Sequence, residues 1–462
     1  MDKPARTHND AIEVSAKNFG GTLNYELASK SELHRFLICA ALSEYTTRII
    51  CKTQAKDVFA TVQCLNALGA KIKQSSDGFA VIPIDRTKLI DYAELNVGES
   101  GSTFRFLLPV VCALGINCTF NLSKRLSERP IQPLINELKN HGANIYWDEA
   151  DKTKLHCTGK ISGGTFNLES SESSQFISGI LLALPILGKS CLKIYGKTES
   201  KPYINMTVVA MRCFGINITT SENEFIVAGK YGMFDDYEVS TELDWSNRAF
   251  WLCAGAISKN GLNLLCSNDA IVCKIGNDNR LIINKSANSI TSLQGDEKII
   301  WILKQFGAEI NLHTNDKYCK ITVQKPQGGS LRAIDLDAAD IPDLVPAIAL
   351  VACAAEGTTH IHNVGRLRLK ESDRLEAICE ALDKLGAKLD IENDDELVIY
   401  GKAKMHGACI DSYNDHRIAM MAACASILCD EPVTIINASA VNKSYPSFFD
   451  DFAILGGKVK GA

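Results

Sequence analysis

At 462 residues, with 46% hydrophobic and 22% charged side chains, the chain is too long for one hydrophobic core and too apolar for a disordered polymer, so two globular domains are expected. A formal net charge of −5 argues against a surface built for nucleic acid, which is as a rule basic. Its 17 cysteines are odd in number, scattered and without CxxC or CxC spacing, so they read as reduced, buried thiols rather than disulfides or a metal cluster.

The N-terminal MDKPARTHND is polar and lacks the apolar stretch of a leader. The longest apolar runs, such as FRFLLPVVCALGINCTF, are interrupted by Pro or Gly and too short to span a bilayer. A soluble cytoplasmic protein is expected. One unit then recurs six times along the chain. Its first helices start near Ser31, Ser102, Ser174, Ser246, Pro342 and His416. They are rich in small residues and apolar almost all round, so they should be buried. Its second helices alternate Lys, Glu and Asn with Leu, Ile and Phe at helical spacing, and should face solvent. They end before Gly69, Gly142, Gly215, Gly307, Gly386 and Gly456, where a helix C-cap needs positive φ. With β-type runs between and after the helices, the unit reads strand–helix–strand–helix–strand–strand.

The widest gap between repeat glycines falls between the third and fourth units, which places a boundary near Leu243 and Asp244. The sixth unit is cut short, and the N-terminal run IEVSAKNF can supply its missing strand. The expected lobes are therefore 29–243, and 1–28 joined to 244–462. The chain would cross between them twice, as in a hinge that closes on ligand.

Polar residues gather at the helix starts. They are Lys30, Ser31 and Arg35 in ASKSELHR, Gly101 in GESGSTFR, Arg129 in SERP, Ser173, Ser174 and Gln175 in SSQF, and Ser200, Lys201 and Tyr203 in ESKPY. The second half adds Asp343 in ADIPD, RLRLKESDR, His416 and Arg417 in YNDHR, and Lys443 in NKSYP. Serine, glycine and cations at helix N-termini make anion sites, because free N–H groups and the positive dipole end point at the ligand. Ser31, Ser102 and Ser246 would serve equally as plain N-caps. In RLRLKESDR, a strand of period two would put Arg366, Arg368 and Lys370 on one face, with Glu371 entering a helix that carries Asp373 and Arg374. No Walker motif, partnered GxGxxG, GxSxG or metal-ligand spacing is present. His360 and His362 share a strand face without a third ligand.

Assembled in order, SKSELHR, ESGSTFRF, ERPIQPL, SSQF, SKPYINMT, IPD, LKESDRL, YNDHRIAM and NKSYPSFF resemble the EPSP synthase family over nearly the whole chain. The resemblance implies an α/β fold, a two-lobed inside-out α/β barrel of six βαβαββ repeats, three per lobe. It implies transfer of the enolpyruvyl group of phosphoenolpyruvate to the 5-hydroxyl of shikimate 3-phosphate through a tetrahedral intermediate, with release of phosphate and no metal or organic cofactor. Matched by motif, shikimate 3-phosphate should meet Lys30, Ser31, Arg35, Ser173, Ser174, Gln175, Ser200, Tyr203, Asp343 and Lys370. Phosphoenolpyruvate should meet Lys30, Gly101, Arg129, Gln175, Arg374, Arg417 and Lys443. Asp343 is the implied base, and Glu371 the implied proton donor and acceptor, assisted by Lys30. The expected partners are these two small molecules, with no nucleic acid, no membrane and a monomeric protein. Glu99 and Arg366 depart from the Asn found at these positions in some members. Two alternatives stand beside this reading. The UDP-N-acetylglucosamine enolpyruvyl transferases typically have Lys-Asn where Lys30-Ser31 stands, and a Cys in the loop near Arg129. A non-catalytic phosphate-binding module would have no need of Asp343 and Glu371.

Overall fold

The computed structural model describes residues 10–169, 173–231, 237–267, 271–275, 279–283, 285–286, 289–290, 292–314 and 318–461. Most of the N-terminal run read as lacking a leader, residues 1–9, lies outside them. By contact the chain groups into two compact units. A first-half unit joins Leu27–Asp244 to Asp269–Gly295, and a second-half unit joins Met1–Glu26, Trp245–Asn268 and Asp296–Ala462.

In the first-half unit the helices are α1 (Lys30–Ala41), α2 (Lys56–Ala67), α3 (Gly101–Leu114), α4 (Lys124–Ser127), α5 (Gln132–Asn140), α6 (Ser174–Leu187) and α7 (Lys201–Cys213). Residues of α1, α3 and α6 are buried almost throughout, as their apolar, Ala- and Gly-containing sequences require. The packing of α6 on α3 shows why small residues matter: a Cβ at Gly179 would lie 2.2 Å from the Arg105 carbonyl oxygen. The amphipathic α2, α5 and α7 bury one face only. Tyr92–Gly98, Asn117–Leu122, Lys154–Thr158 and Asn144–Trp147 form, in that order, one four-stranded sheet, parallel in its first pair and antiparallel after it. Repeat three repeats this pattern. In repeat one the opening strand is Tyr237–Ser240, which runs parallel to Thr47–Ile50. Ile271–Ile275 pairs with that same strand, which carries Asp269–Gly295 into this unit. A division by repeats alone leaves that segment in the second half.

The second-half unit holds α8 (Trp245–Ile257), α9 (Ile299–Gln305), α10 (Val345–Ala354), α11 (Arg374–Lys384), α12 (His416–Ala425) and α13 (Phe448–Ile454). Ala11–Ser15 pairs antiparallel with both Val433–Ile436 and Lys458–Gly461, which completes the sheet of repeat six. All six repeat glycines take positive φ, between 78° and 110°. Among the described residues no helix is long and apolar enough to cross a membrane. Of the 17 cysteines, all free, only Cys409 is exposed.

Two local expectations fail. The caps of α1 and α3 are Ser29 and Ser100, whose hydroxyls accept from Glu32 N and Thr103 N. Ser31 and Ser102 instead sit within the first turns, and Ser246 lies inside α8, where its hydroxyl meets Asp296. Arg366–Lys370 is not a strand either. Gly365–Leu369 is a 3-10 helix, and Asp373 caps α11, so no period-two face of three cations exists. The strand pattern lost because Asp395 draws this segment into a turn, accepting from Gly365 N at 2.7 Å while its own carbonyl accepts from Val364 N.

Candidate active site

Two groups of polar side chains stand out, one in each unit. In the first-half unit, α1 opens with Lys30, whose ammonium pairs with Asp57 at 2.9 Å and whose backbone N–H donates to Asp244. Arg35, one turn on, is 2% exposed. Its guanidinium donates to Thr207 Oγ1 at 2.7 Å, the Ser31 carbonyl at 2.7 Å, the Tyr203 carbonyl at 2.9 Å and Ser178 Oγ at 3.3 Å. All four acceptors are neutral, and burial lowers its pKa to about 10 against weaker support from Tyr203 and Glu32. This cation is thus held rigidly and under-compensated, which suits an anionic ligand nearby. It also ties Ser31 to Tyr203.

The start of α3 makes the second part of this group. A Cβ on Gly101 would lie 3.1 Å from Arg129 Nη1 and 3.5 Å from Arg105 Nη1, so the bare backbone admits two guanidiniums. Arg105 donates to Gln175 Oε1 at 2.7 Å, and Gln175 Nε2 donates to Ser102 Oγ at 3.0 Å. Ser173 caps α6 by accepting from Gln175 N, and Ser174 is buried in its first turn. Ser200 is held at φ 56° just before α7. The fold therefore brings Gly101, Arg129, Gln175 and the Ser173–Ser174 turn together around Arg105, which the motif reading passed over. Asp57, the carboxylate under Lys30, was likewise not singled out. Glu99 beside the loop is half-buried.

In the second-half unit Asp343 sits in a 3-10 turn, Pro342–Leu344, ahead of α10. Arg374 Nη1 donates to its Oδ1 at 2.9 Å, Lys370 Nζ to the same oxygen at 3.4 Å, and Arg417 Nη2 to Oδ2 at 2.9 Å. Burial alone would raise the Asp343 carboxyl, but Arg417, Lys370 and Arg374 together hold it well below the usual carboxylate range. Lys370 moves the other way. Burial lowers its ammonium to about 8, although Asp343 opposes the shift. Arg374, 1% exposed, also donates to Glu371 Oε2 at 2.6 Å and to Asp415 Oδ2 at 2.8 Å. Asp415, fully buried, caps α12 by accepting from Arg417 N at 2.9 Å. It is the organising residue that YNDHR contained and motif reading left unassigned; its signal was an Asp at an N-cap position ahead of a buried helix. His416 is buried beside it, and Lys443 donates to the Asn414 carbonyl. The second-half residues named from sequence thus fall into one cluster: two carboxylates among Lys370, Arg374 and Arg417, with Lys443 at its edge. Arg368 lies apart, paired with Asp373 and Asp394. Among the described residues no three His, Cys, Asp or Glu side chains are grouped to hold a metal ion.

Cations over neutral acceptors and one carboxylate in one unit, and carboxylates among cations in the other, can bind anions and move protons beside them. The comparisons agree with that chemistry. Residues 16–452 match the family model described as EPSP synthase (3-phosphoshikimate 1-carboxyvinyltransferase). A 3-phosphoshikimate 1-carboxyvinyltransferase of Clostridium kluyveri is 37% identical over 434 residues, covering 93% of this chain and 94% of its own. That of Clostridium acetobutylicum is 38% identical over 436 residues, with the same coverage of 93% and 94%. Among solved structures, an EPSP synthase from Acinetobacter baumannii superposes with a TM-score of 0.75 at 24% identity, over 98% of this chain and all of its own. The enolpyruvyl transferase NikO from Streptomyces tendae gives 0.71 at 17% identity, over 98% and 99% of the two chains. At these identities the two structures speak for the fold alone.

Proposed function

The chain belongs to the EPSP synthase family, and on that premise we propose that Asp343, Glu371 and Lys30 carry its chemistry. It is a transferase of the shikimate pathway to chorismate and the aromatic amino acids, moving the enolpyruvyl group of phosphoenolpyruvate to the 5-hydroxyl of shikimate 3-phosphate. In our reading the 5-hydroxyl gives its proton to Asp343 as its oxygen bonds to C2 of phosphoenolpyruvate. Glu371 adds a proton to the methylene C3. In the second half Glu371 takes a proton back from C3, the C2=C3 bond re-forms, the C2–O bond to phosphate breaks, and phosphate departs with its electron pair. Lys30 stands by the leaving phosphate as charge partner.

The observation that carries this reading is Asp343 among Lys370, Arg374 and Arg417. A carboxylate gripped by three cations is a weak base while the site is empty. Two phosphates of about −1.5 to −2 each, with two carboxylates, draw those cations away and restore its basicity. An anion on Arg374 likewise frees Glu371 to hold a proton. Shikimate 3-phosphate is assigned to Lys30, Ser31, Arg35, Ser173, Ser174, Gln175, Ser200, Tyr203, Asp343 and Lys370. Phosphoenolpyruvate is assigned to Lys30, Gly101, Arg129, Gln175, Arg374, Arg417 and Lys443. The reading extends to a cytoplasmic monomer whose partners are these small molecules; the net charge of −5 speaks against nucleic acid, and the buried free thiols suit a reducing compartment.

Phosphate release from the protein mixed with phosphoenolpyruvate and shikimate 3-phosphate tests the reading. Release only with UDP-N-acetylglucosamine, or with neither acceptor, overturns it. Two finer results should follow. Gly101→Ala should raise KM for phosphoenolpyruvate about tenfold, because the new Cβ crowds the Arg129 guanidinium; a tenfold change corresponds to about 1.4 kcal/mol of lost binding. Steady-state kinetics with unchanged KM would remove Gly101 from that subsite. Lys370 must be protonated to attract a phosphate, so kcat/KM for shikimate 3-phosphate should fall as pH rises through about 8. Lys370→Arg should abolish that step, since guanidinium keeps its charge there. A step that survives the substitution belongs to another group.

A further inference from the structure

Beneath the Gly101 loop runs a line of buried side chains that the reaction does not use. It begins at His34 in α1, passes Thr61 in α2 and Thr103 in α3, and ends at Ser100, the cap of α3. None is more than 1% exposed. His34 Nδ1 lies 2.7 Å from Thr61 Oγ1, Thr61 Oγ1 lies 2.6 Å from Thr103 Oγ1, and Thr103 Oγ1 lies 2.6 Å from Ser100 Oγ. Thr103 also donates to the Asp57 carbonyl at 3.4 Å, and Asp57 is the residue whose carboxylate holds Lys30.

The line has a direction. Burial, then Lys30 and Arg35, keep the His34 pKa well below 6.5, so the ring is neutral and carries one N–H. Its Nε2 is buried and has no hydrogen-bond partner. A proton there would be an unanswered buried donor, whereas a proton on Nδ1 leaves only a lone pair unmet, which costs less. Nδ1–H therefore donates to Thr61, Thr61 to Thr103, and Thr103 to Asp57. Ser100 donates into Thr103 and accepts Thr103 N–H at 3.3 Å. Every hydroxyl proton has one address, and such a chain holds one geometry better than its bonds would singly.

We propose that His34 and Thr61 are positioning residues, fixing the Gly101 loop through Thr103 and Ser100 for phosphoenolpyruvate. The proposal rests on the assignment of that loop to phosphoenolpyruvate. Its physical basis is that small misplacements of binding groups are costly to rate and affinity.

Thr61→Val keeps the side chain's volume and removes the hydroxyl. It should raise KM for phosphoenolpyruvate about tenfold, with KM for shikimate 3-phosphate within about twofold of the parent. Thr61→Ser, which restores the hydroxyl, should return the parent value. His34→Leu should reproduce the split, and His34→Asn, whose amide stands near Nδ1, should not; this pair keeps the test open if Thr61→Val fails to fold. Equal changes in both KM values, no change in either, or a Thr61→Ser that behaves like Thr61→Val would overturn the proposal. Gly101→Ala, measured alongside, separates the two failures. If it raises KM for phosphoenolpyruvate while the His34 and Thr61 variants do nothing, the relay falls and the loop assignment stands. If it too is silent, the assignment fails and takes the proposal with it.

Discussion

Asp343→Asn should lower kcat on the order of a thousandfold, within the range typical for loss of a positioned general base. The side chain keeps its shape and one oxygen, so Arg374 and Lys370 can keep the acceptor they share while Arg417 faces an amide NH2 in place of Oδ2, and charge and basicity are lost. The base assignment therefore predicts a loss in kcat that outweighs any change in KM for either substrate. If Asp343 were only an anchor for the two guanidiniums, thermal stability and KM would suffer and turnover would hold. Steady-state kinetics beside a melting curve separates the two cases, and near-parent kcat would remove Asp343 as the base. Acid stability adds a second readout. The folded-state pKa of Asp343 is depressed, so its stabilisation is present above its ordinary value of 3.8 and lost as pH falls below it, where the unfolded chain takes up the proton first. Asp343→Asn should flatten that part of the acid limb.

How much of this was legible in the sequence depended on whether the information was local. The six glycines after Leu68, His141, Phe214, Phe306, Leu385 and Leu455 told where the second helices end, because a left-handed C-cap is a property of the single residue. The buried first helices were equally legible from their unbroken apolar faces. Caps were misread by two residues, since Ser29 and Ser31, or Ser100 and Ser102, are equally good candidates until the backbone chooses. Gly365–Leu369 had the alternation of a strand, yet contacts with Asp395, from a distant hairpin, turned it into a 3-10 helix. The residues that lie on motifs were named from them. Those acting across elements were not: Asp57 under Lys30, Arg105 against Gln175 and Asp415 against Arg374 are joined only by folding, over separations of 27, 70 and 41 residues.

Arg374→Met should destabilise the second-half unit by about 3–5 kcal/mol, the usual cost of breaking a buried ion pair from one side. Arg374 is 1% exposed and Asp415 fully buried, so no water can take over the lost contact. Burial by itself would make the guanidinium easier to deprotonate, but Asp415, Glu371 and Asp343 outweigh it and raise its pKa overall. Three carboxylates thus share one cation, and its removal leaves Asp415 charged, buried and short of two hydrogen bonds. The expected fall in melting temperature is on the order of 10 °C. Methionine fills the space, which makes the lost charge rather than a cavity the cause. The double variant Arg374→Met with Asp415→Asn provides the decisive comparison. If an orphaned buried charge is the main cost, neutralising it should recover part of the stability, so the double variant should melt above the single one. Activity should not return with it, because Arg374 is also assigned to phosphoenolpyruvate. A double variant that melts below Arg374→Met would show that Asp415 contributes by capping α12 at Arg417 N more than by pairing with Arg374, and a single variant that melts with the parent would dismiss the pair as a structural element.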